Sequence, residues 1–204
     1  MEYIQNYIST LQQTMDQLPQ HLISNAIHIL QRARMQGSQV FIMGNGGSAS
    51  TASHFVCDLA KNTRREGLPH FRAIGLADNM EIFSAYGNDE GYENVFSQQL
   101  INLIRPGDVV IAISASGNSK NVLNAVEEAQ KYGVTTIGFT GFDGGHLGKM
   151  VDIHIHVPSN IIEHVEDIHL MLEHVIVRII KDQPFIGINL PDNSAKLSVD
   201  MPAD

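Results

Sequence analysis

The sequence contains very little cysteine. Only one of its 204 residues, Cys57, is a cysteine, so the chain cannot form an internal disulfide. A single thiol suits a reducing compartment. The first residues also lack the basic region and the apolar stretch of a signal peptide. We therefore expect a cytoplasmic protein.

Positive charge is scarce as well. The chain has 13 Lys and Arg against 22 Asp and Glu, which gives a formal net charge of −9 at pH 7. Nucleic acid would gain no general attraction to such a chain, so we expect no direct nucleic-acid partner. A small anion could still bind to an acidic chain, because a few backbone N–H groups are enough to hold it. The sequence also lacks the roughly 18 consecutive apolar residues of a membrane span, so no membrane partner is expected.

The two ends of the chain differ from its middle. Apolar residues recur at helical spacing over residues 2–17 and 19–36, which predicts an N-terminal helical pair. We assign residues 1–36 to these helices, which would pack on the domain and on other subunits. No periodic pattern follows Pro184, so residues 183–204 are assigned to a C-terminal tail.

The middle of the chain, residues 37–182, alternates short apolar runs with helical patterns. The runs are rich in β-branched residues and too short for good helices. Alternation of this kind is typical of an α/β fold, with a doubly wound parallel sheet covered by helices on both faces. The predicted strands are Val40–Met43, Phe71–Leu76, Val109–Ile113, Thr135–Phe139 and Ile153–Val157. The predicted helices cover residues 48–62, 79–86, 91–103, 118–132 and about 160–182.

Two turns rich in Gly, Ser and Asn directly follow predicted strands. The first is Gly44–Ser50 and the second is Ser114–Ser119. In a parallel sheet, ligands bind outside the carboxyl ends of the strands, where helix N-termini offer free N–H groups. Two such turns could surround a phosphate with amides and hydroxyls without any lysine. The alternative is ordinary helix capping, for which the same residue types are favoured.

Other phosphate motifs fit the first turn less well. It lacks the lysine and the spacing of a P-loop. It does match a variant of the dinucleotide fingerprint, but the acidic residue expected at the end of the next strand is missing, since Glu66 precedes that run. A nucleotide cofactor is therefore not expected.

Histidines and carboxylates occur on two of the predicted helices. His54 and Asp58 are four residues apart and share one helix face, so they could bind a divalent metal or form an acid–base pair. Glu166 and His174 are eight apart, about 12 Å along a straight helix. Both side chains could bind one metal ion only if the site is assembled between subunits or if the helix bends. For His169 and Glu173 we expect a solvated pair without a role.

Six motifs occur in the order found in the sugar isomerase domain family, and the chain resembles in particular the bacterial phosphoheptose isomerases of that family. The motifs are Gly44–Ser48, Ser53–Phe55, Gly87–Asp89, Arg105–Asp108, Ile113–Ser119 and Thr140–Gly145. The resemblance runs from the N-terminal helices to about residue 182. It implies a flavodoxin-like five-stranded parallel sheet, a homotetramer and active sites between subunits.

The resemblance also implies a role for individual residues. Phosphate would bind to Ser48, Ser114, Ser116 and Ser119, and Ala115 belongs to the same turn. The sugar would lie against Asn45, Gly46 and Gly47, with further contacts from Asn88, Asp89 and Glu166. Zinc, one ion per subunit, would be held by His54, Asp58, Glu166 and His174.

Three of these positions depart from the family pattern. Asp58 replaces the family's catalytic glutamate, Glu166 replaces a glutamine ligand, and Ala115 replaces a threonine. Two histidines and two carboxylates remain a sound donor set for zinc. The replacement of the catalytic glutamate by the shorter Asp58 matters more than the other two departures, because a displacement of about 1 Å can lower the rate about a hundredfold.

The expected reaction interconverts an aldose and a ketose phosphate, sedoheptulose 7-phosphate and its heptose isomer, through an enediolate. Asp58 would act as the base and His174 as the acid. The alternative is a non-catalytic regulatory protein of the same family, such as a homotetramer that associates with a replication initiator. An isomerase for another phosphosugar is the third reading.

Overall fold

Five parallel strands form the central sheet in a computed structural model that describes residues 2–185. They are β1 (Gln39–Gly44), β2 (Arg72–Gly75), β3 (Val109–Ile113), β4 (Thr135–Thr140) and β5 (Ile153–His156). Their order across the sheet is β2-β1-β3-β4-β5. This is the flavodoxin-like order, and it confirms the predicted doubly wound sheet.

Side chains of the inner strands point alternately to the two faces of the sheet. On β1, Val40 and Ile42 belong to one buried apolar cluster, whereas Phe41 and Met43 belong to the other. Both faces are therefore covered, which explains why the inner strands read as continuous apolar runs rather than as alternating patterns.

Helices cover both faces and form the predicted N-terminal pair. They are α1 (Glu2–Met15), α2 (Gln20–Gln36), α3 (Gly47–Cys57), α4 (Met80–Asp89), α5 (Ser97–Leu103), α6 (Lys120–Lys131), α7 (Leu147–Met150) and α8 (Ile162–Asp182). The first apolar cluster takes side chains from α2, α3 and α8, and the second takes side chains from α5, α6 and α7. No described helix has the length and apolar character needed to cross a bilayer.

Three local features differ from the sequence prediction. Residues 58–62 continue α3 as a π-helical turn, and the predicted helix over 91–103 is split into a 3₁₀ turn (Tyr92–Asn94) and α5. The short helix α7 was not predicted, because four residues carry too little periodicity to detect. Most of the proposed tail, from residue 186 onward, lies outside the described residues.

Candidate active site

An open cleft lies at the carboxyl ends of β1 and β3. These strands are neighbours, with Gly44 in register with Ile113, although β2 comes between them in the sequence. The cleft therefore occupies the switch point of the sheet, where open α/β proteins bind ligands. It has a volume of about 320 Å³. Its lining residues are Asn45, Ser48, Ile113, Ser114, Ala115, Ser116, Ser119, Phe142, Ile162 and Glu166.

The first glycine turn brings the start of α3 to this cleft. A side chain at Gly44 would collide with the backbone of Ser48, so the tight approach requires glycine here. Gly46 precedes the helix with φ +53°. Ser48 lies in the first turn of α3 and is largely buried against the cleft. Asn45 is held in place by hydrogen bonds with Asn121 (2.9 Å) and with the Tyr92 hydroxyl (2.8 Å).

The second turn places three serine hydroxyls on the opposite side of the cleft. The Ser114 and Ser119 hydroxyls are 3.1 Å apart, and the Ser116 hydroxyl accepts a hydrogen bond from the Asn118 N–H. Ser119 is the N-cap residue of α6, but its side chain makes no capping hydrogen bond. Helix capping, the alternative explanation for this serine, is therefore not what its hydroxyl does in the structure.

A third loop supports the second turn from behind. Gly117 has φ +64°, and a side chain there would collide with the Gly144 carbonyl. The Leu147 N–H donates to the Gly117 carbonyl at 2.9 Å. Both the backbone N–H and the ring Nδ1 of His146 lie within hydrogen-bond distance of the Asn118 amide oxygen. Residues 140–145, recognised in the sequence as a motif, thus pack against the second serine turn and support it.

The other predicted substrate residues have different positions. Gly47 faces the Glu166 carboxylate so closely that a side chain would displace it. Asn88 and Asp89 are hydrogen-bonded to each other at the end of α4, at 2.7 Å. They do not line the cleft of a single chain.

Further along α3 and α8 from the cleft, four side chains converge, and one nitrogen or oxygen atom from each lies within 4.8 Å of the others. They are His54, Asp58, Glu173 and His174. The Nε2 atoms of the two histidines are 3.3 Å apart. His54 Nε2 lies 3.7 Å from the Asp58 carboxylate, and His174 Nε2 lies 3.3 Å from the Glu173 carboxylate.

Asp58 is positioned by the π-helical turn that it begins. Asn62, at the end of that turn, donates to the Asp58 carboxylate at 2.6 Å. One oxygen of Asp58 is thereby engaged, and the other faces His54. Such π-turns within helices are frequent at functional sites, since they re-aim side chains.

Glu173 is fully buried, which corrects the expectation of a solvated pair with His169. His169 is buried too, and its Nε2 contacts the Thr140 carbonyl at 3.2 Å. Neither carboxylate oxygen of Glu173 has a hydrogen-bond partner among the described residues. Burial first, and the nearby Asp58 carboxylate second, raise the pKa of Glu173 to about 8.

The four side chains could hold a metal ion, and their geometry is compatible with zinc. Two imidazole nitrogens on one tetrahedral zinc, each about 2.0–2.1 Å from it, lie about 3.3 Å apart, which is the separation observed here. A buried carboxylate without a donor is costly unless it is protonated or a cation compensates it. The donor set and the orphaned Glu173 carboxylate both fit zinc.

The structure does not bring Glu166 into this cluster. Helix α8 runs without interruption over 21 residues, so Glu166 and His174 remain two turns apart. Glu166 instead lines the serine cleft. The sequence reasoning missed Glu173, although its position among apolar residues of α8 was a visible signal. It also missed four supporting residues, namely Tyr92, Asn121, Phe142 and Ile162.

Comparison with known proteins defines the class of this chain. Residues 2–141 match the family model described as SIS domain. This match covers more than half of the chain, and the chain therefore belongs to the SIS domain family, the sugar isomerase domain family whose motifs the sequence carries.

Within that family its relatives are phosphoheptose isomerases. The phosphoheptose isomerase of Geotalea daltonii is 39% identical over 190 residues, covering 91% of this chain and 97% of the relative. The solved phosphoheptose isomerase from Francisella tularensis is 31% identical with a TM-score of 0.82, covering 89% of this chain and 96% of that chain. The one from Neisseria gonorrhoeae is 29% identical with a TM-score of 0.80, covering 89% and 98%.

Proposed function

We propose that this chain is an aldose–ketose isomerase that converts sedoheptulose 7-phosphate into a heptose 7-phosphate through an enediolate. The observation that carries this proposal is that two groups of side chains, suited to different parts of a sugar phosphate, lie along the same helix. A serine-lined anion cleft lies at the start of α3, and a histidine and carboxylate cluster lies further along α3 and α8.

The cleft suits a phosphate that is bound without lysine. The N-termini of α3 and α6 both point to it, and each carries a partial positive charge and free N–H groups. Ser48, Ser114 and Ser119 add hydroxyl donors that can rotate toward the phosphate oxygens. A small dianion can therefore bind to a chain whose net charge is −9.

The distance between the two parts of the site favours a long sugar. Ser48 and His54 are six residues apart on α3, about 9 Å along the helix axis. A phosphate on the last carbon of an extended heptulose would leave the carbonyl end near the cluster. Glu166 lines the cleft beside Gly47, where its carboxylate can accept hydrogen bonds from sugar hydroxyls.

The cluster supplies the proton transfers of the reaction. Asp58 takes the proton next to the carbonyl, and His174 returns a proton to the neighbouring carbon. We propose one zinc ion per subunit at His54, Asp58 and His174, where a bound zinc would polarise the carbonyl oxygen. Exposure of the two histidine side chains, 45% and 50%, leaves this end of the site accessible.

We also propose that the chain assembles as a homotetramer with neighbouring subunits completing the site. Helix α1 carries an exposed apolar surface, with Tyr3 90% and Ile4 66% exposed in the single chain. A surface of this kind supports contact with a second copy. Asn88 and Asp89, which do not line the cleft of one chain, would then contact substrate across such an interface.

The test is incubation with sedoheptulose 7-phosphate, shorter ketose phosphates and an amino sugar phosphate, with zinc present, followed by product analysis. Turnover restricted to the heptulose supports the proposal, and turnover restricted to another sugar would assign a different isomerase.

Asp58→Asn should reduce turnover by at least about a hundredfold, since loss of a general base typically costs 10²–10⁴-fold, while sugar phosphate binding survives.

Asp16→Asn is the matched control, because Asp16 is an exposed carboxylate that does not line the cleft. Full activity of Asp58→Asn would refute the assignment of the base. The regulatory alternative would instead show sugar phosphate binding and no turnover by any variant.

A further inference from the structure

We infer that Phe142 makes the cleft selective for organic phosphates over inorganic phosphate, because its ring contacts the carbon atoms of the bound ester. This inference deepens the proposed function and rests on its phosphate cleft. It gives a role to a residue whose backbone conformation is unusual for its side chain.

Phe142 has a strained backbone. Among the described residues it is the one non-glycine residue with a positive φ, at +49°. Glycine adopts this conformation readily, whereas a bulky side chain makes it a genuine outlier. Strain of this kind occurs most often at functional sites, and it persists only where the surrounding structure fixes the backbone.

Three hydrogen bonds fix the backbone around Phe142. The Gly141 N–H donates to the Ala115 carbonyl at 2.7 Å, and the Phe142 N–H donates to the Ser159 carbonyl at 2.9 Å. The Phe142 carbonyl lies 3.0 Å from Nε2 of His156 and, since a carbonyl only accepts, receives a hydrogen bond from it. One of these bonds joins the segment directly to the second serine turn, so the ring has a defined position relative to that turn.

The ring of Phe142 forms an apolar part of the cleft wall. It lines the same cleft as Ser114 and Ser116, and it is only partly buried against the apolar cluster beneath it. Ile162 of α8, which is 40% exposed, also lines the cleft. Apolar surface left in water is unfavourable, so carbon atoms of a ligand that cover this wall would stabilise the complex.

The cleft offers more than an anion needs. Its volume of about 320 Å³ lies in the range of small-molecule sites, about 300–1,000 Å³. The serine hydroxyls and helix N-termini recognise phosphate oxygens, which inorganic phosphate and a phosphate ester have in common. A preference for the ester must come from contacts with the rest of the ligand, and Phe142 has the largest apolar side chain of the cleft lining.

The test compares the affinities of n-propyl phosphate and inorganic phosphate by calorimetric titration at pH 8, where both ions carry close to two negative charges. The propyl ester has no hydroxyl group, so the ratio of the two affinities reports contact with carbon alone. Wild type should prefer the ester at least about fourfold, since one buried CH₂ is worth about that factor.

Phe142→Gly should reduce this preference to less than about twofold and leave the affinity for inorganic phosphate within about twofold of wild type. Glycine is unstrained at a positive φ, so the backbone and the serine turn keep their positions. Phe142→Leu should give an intermediate preference, because it retains a smaller apolar side chain. If Phe142→Gly does not fold, Phe142→Asn, which also tolerates a positive φ, replaces it.

Phe71→Leu is the matched control for Phe142→Leu. Phe71 belongs to the same apolar cluster but does not line the cleft, so its variant should keep the wild-type preference. An unchanged preference in Phe142→Gly, or equal loss of both affinities, would show that the ring serves packing only and would overturn the inference.

The inference and the proposed function can fail separately. Wild type that binds both phosphates equally well would overturn the inference and leave the phosphate cleft standing. Wild type that binds neither would remove the phosphate cleft and the inference with it. Because the probes are not isomerised, absence of turnover on the heptulose would leave these outcomes unchanged.

Discussion

Two ionisable side chains on the buried side of α8 have pKa values that are shifted by burial, in opposite directions. Burial lowers the pKa of His169 to about 4, although its contact with the Thr140 carbonyl partly opposes this change. Burial raises the pKa of Glu173, four residues further on. Both side chains are therefore kept neutral by desolvation, and Glu173 becomes an effective anion only with a cation beside it.

His169 should make the protein less stable in mild acid. The pKa of histidine in an unfolded chain is about 6.5, so between pH 6.5 and pH 4 the unfolded state binds a proton that the folded state does not. Stability is fully present above the unfolded value and falls by up to about 3 kcal/mol as the pH drops toward 4. Urea unfolding at pH 7.5, 6 and 5 measures this dependence.

The His169→Gln variant should lose most of this pH dependence, because an amide can still donate to the Thr140 carbonyl but does not titrate. His70→Gln, which removes an exposed histidine, should retain the wild-type dependence. An unchanged slope in His169→Gln would show that other groups are responsible.

At the scale of elements, the site depends on loops that approach each other through glycine. The second serine turn and the loop of residues 140–145 pack backbone against backbone at Gly117 and Gly144. This contact holds Ser114, Ser116 and Ser119 in place at the wall of the cleft. The rigidity of the second serine turn therefore depends on the loop that supports it.

Gly117→Ala should destabilise the protein and weaken sugar phosphate binding. The matched control is Gly133→Ala, since both glycines have a positive φ but open space surrounds Gly133. Gly133→Ala should cost only the left-handed strain of about 1–2 kcal/mol without changing sugar phosphate affinity. Gly117→Ala should cost more, because it also collides with a backbone carbonyl. Urea unfolding and calorimetric titration measure both, and equal effects would contradict the packing argument.

For the whole molecule, the cluster of His54, Asp58, Glu173 and His174 joins the first and last helices of the sheet domain. It takes residues from α3, from the π-helical turn and from α8, which are far apart in the sequence and packed together in the fold. A ligand that binds only the folded state stabilises it, by about 2.7 kcal/mol at a hundredfold excess over Kd.

Zinc should therefore raise the Tm of the metal-free protein by about 5–10 °C at that excess, since about 1 kcal/mol corresponds to about 2–4 °C in a chain of this size. Scanning calorimetry with and without zinc measures the shift. A His54→Asn and His174→Asn double variant should lose it, and His21→Asn, which changes an exposed histidine of α2, should keep it. A shift that survives in the double variant would place the ion elsewhere.

Much of the fold followed from local patterns, for physical reasons. Doubly buried strands such as Val109–Ile113 must be continuously apolar, so their positions were visible in the sequence, and β3 has the predicted bounds. Glycine and serine after a strand indicate a turn that leads into a helix. The π-helical turn at Asp58 and the short α7 left no such signal, because both depend on packing rather than on periodicity.

Local sequence patterns were enough to predict the sheet, most of its helices and the two serine turns, because periodicity and turn chemistry are encoded within a few neighbouring residues. Which side chains meet depends on the packing of distant elements. The tertiary structure placed Glu166 on the cleft and Glu173 beside His54, Asp58 and His174. Contacts between residues more than a hundred positions apart depend on how α3 packs against α8, which no local pattern contains.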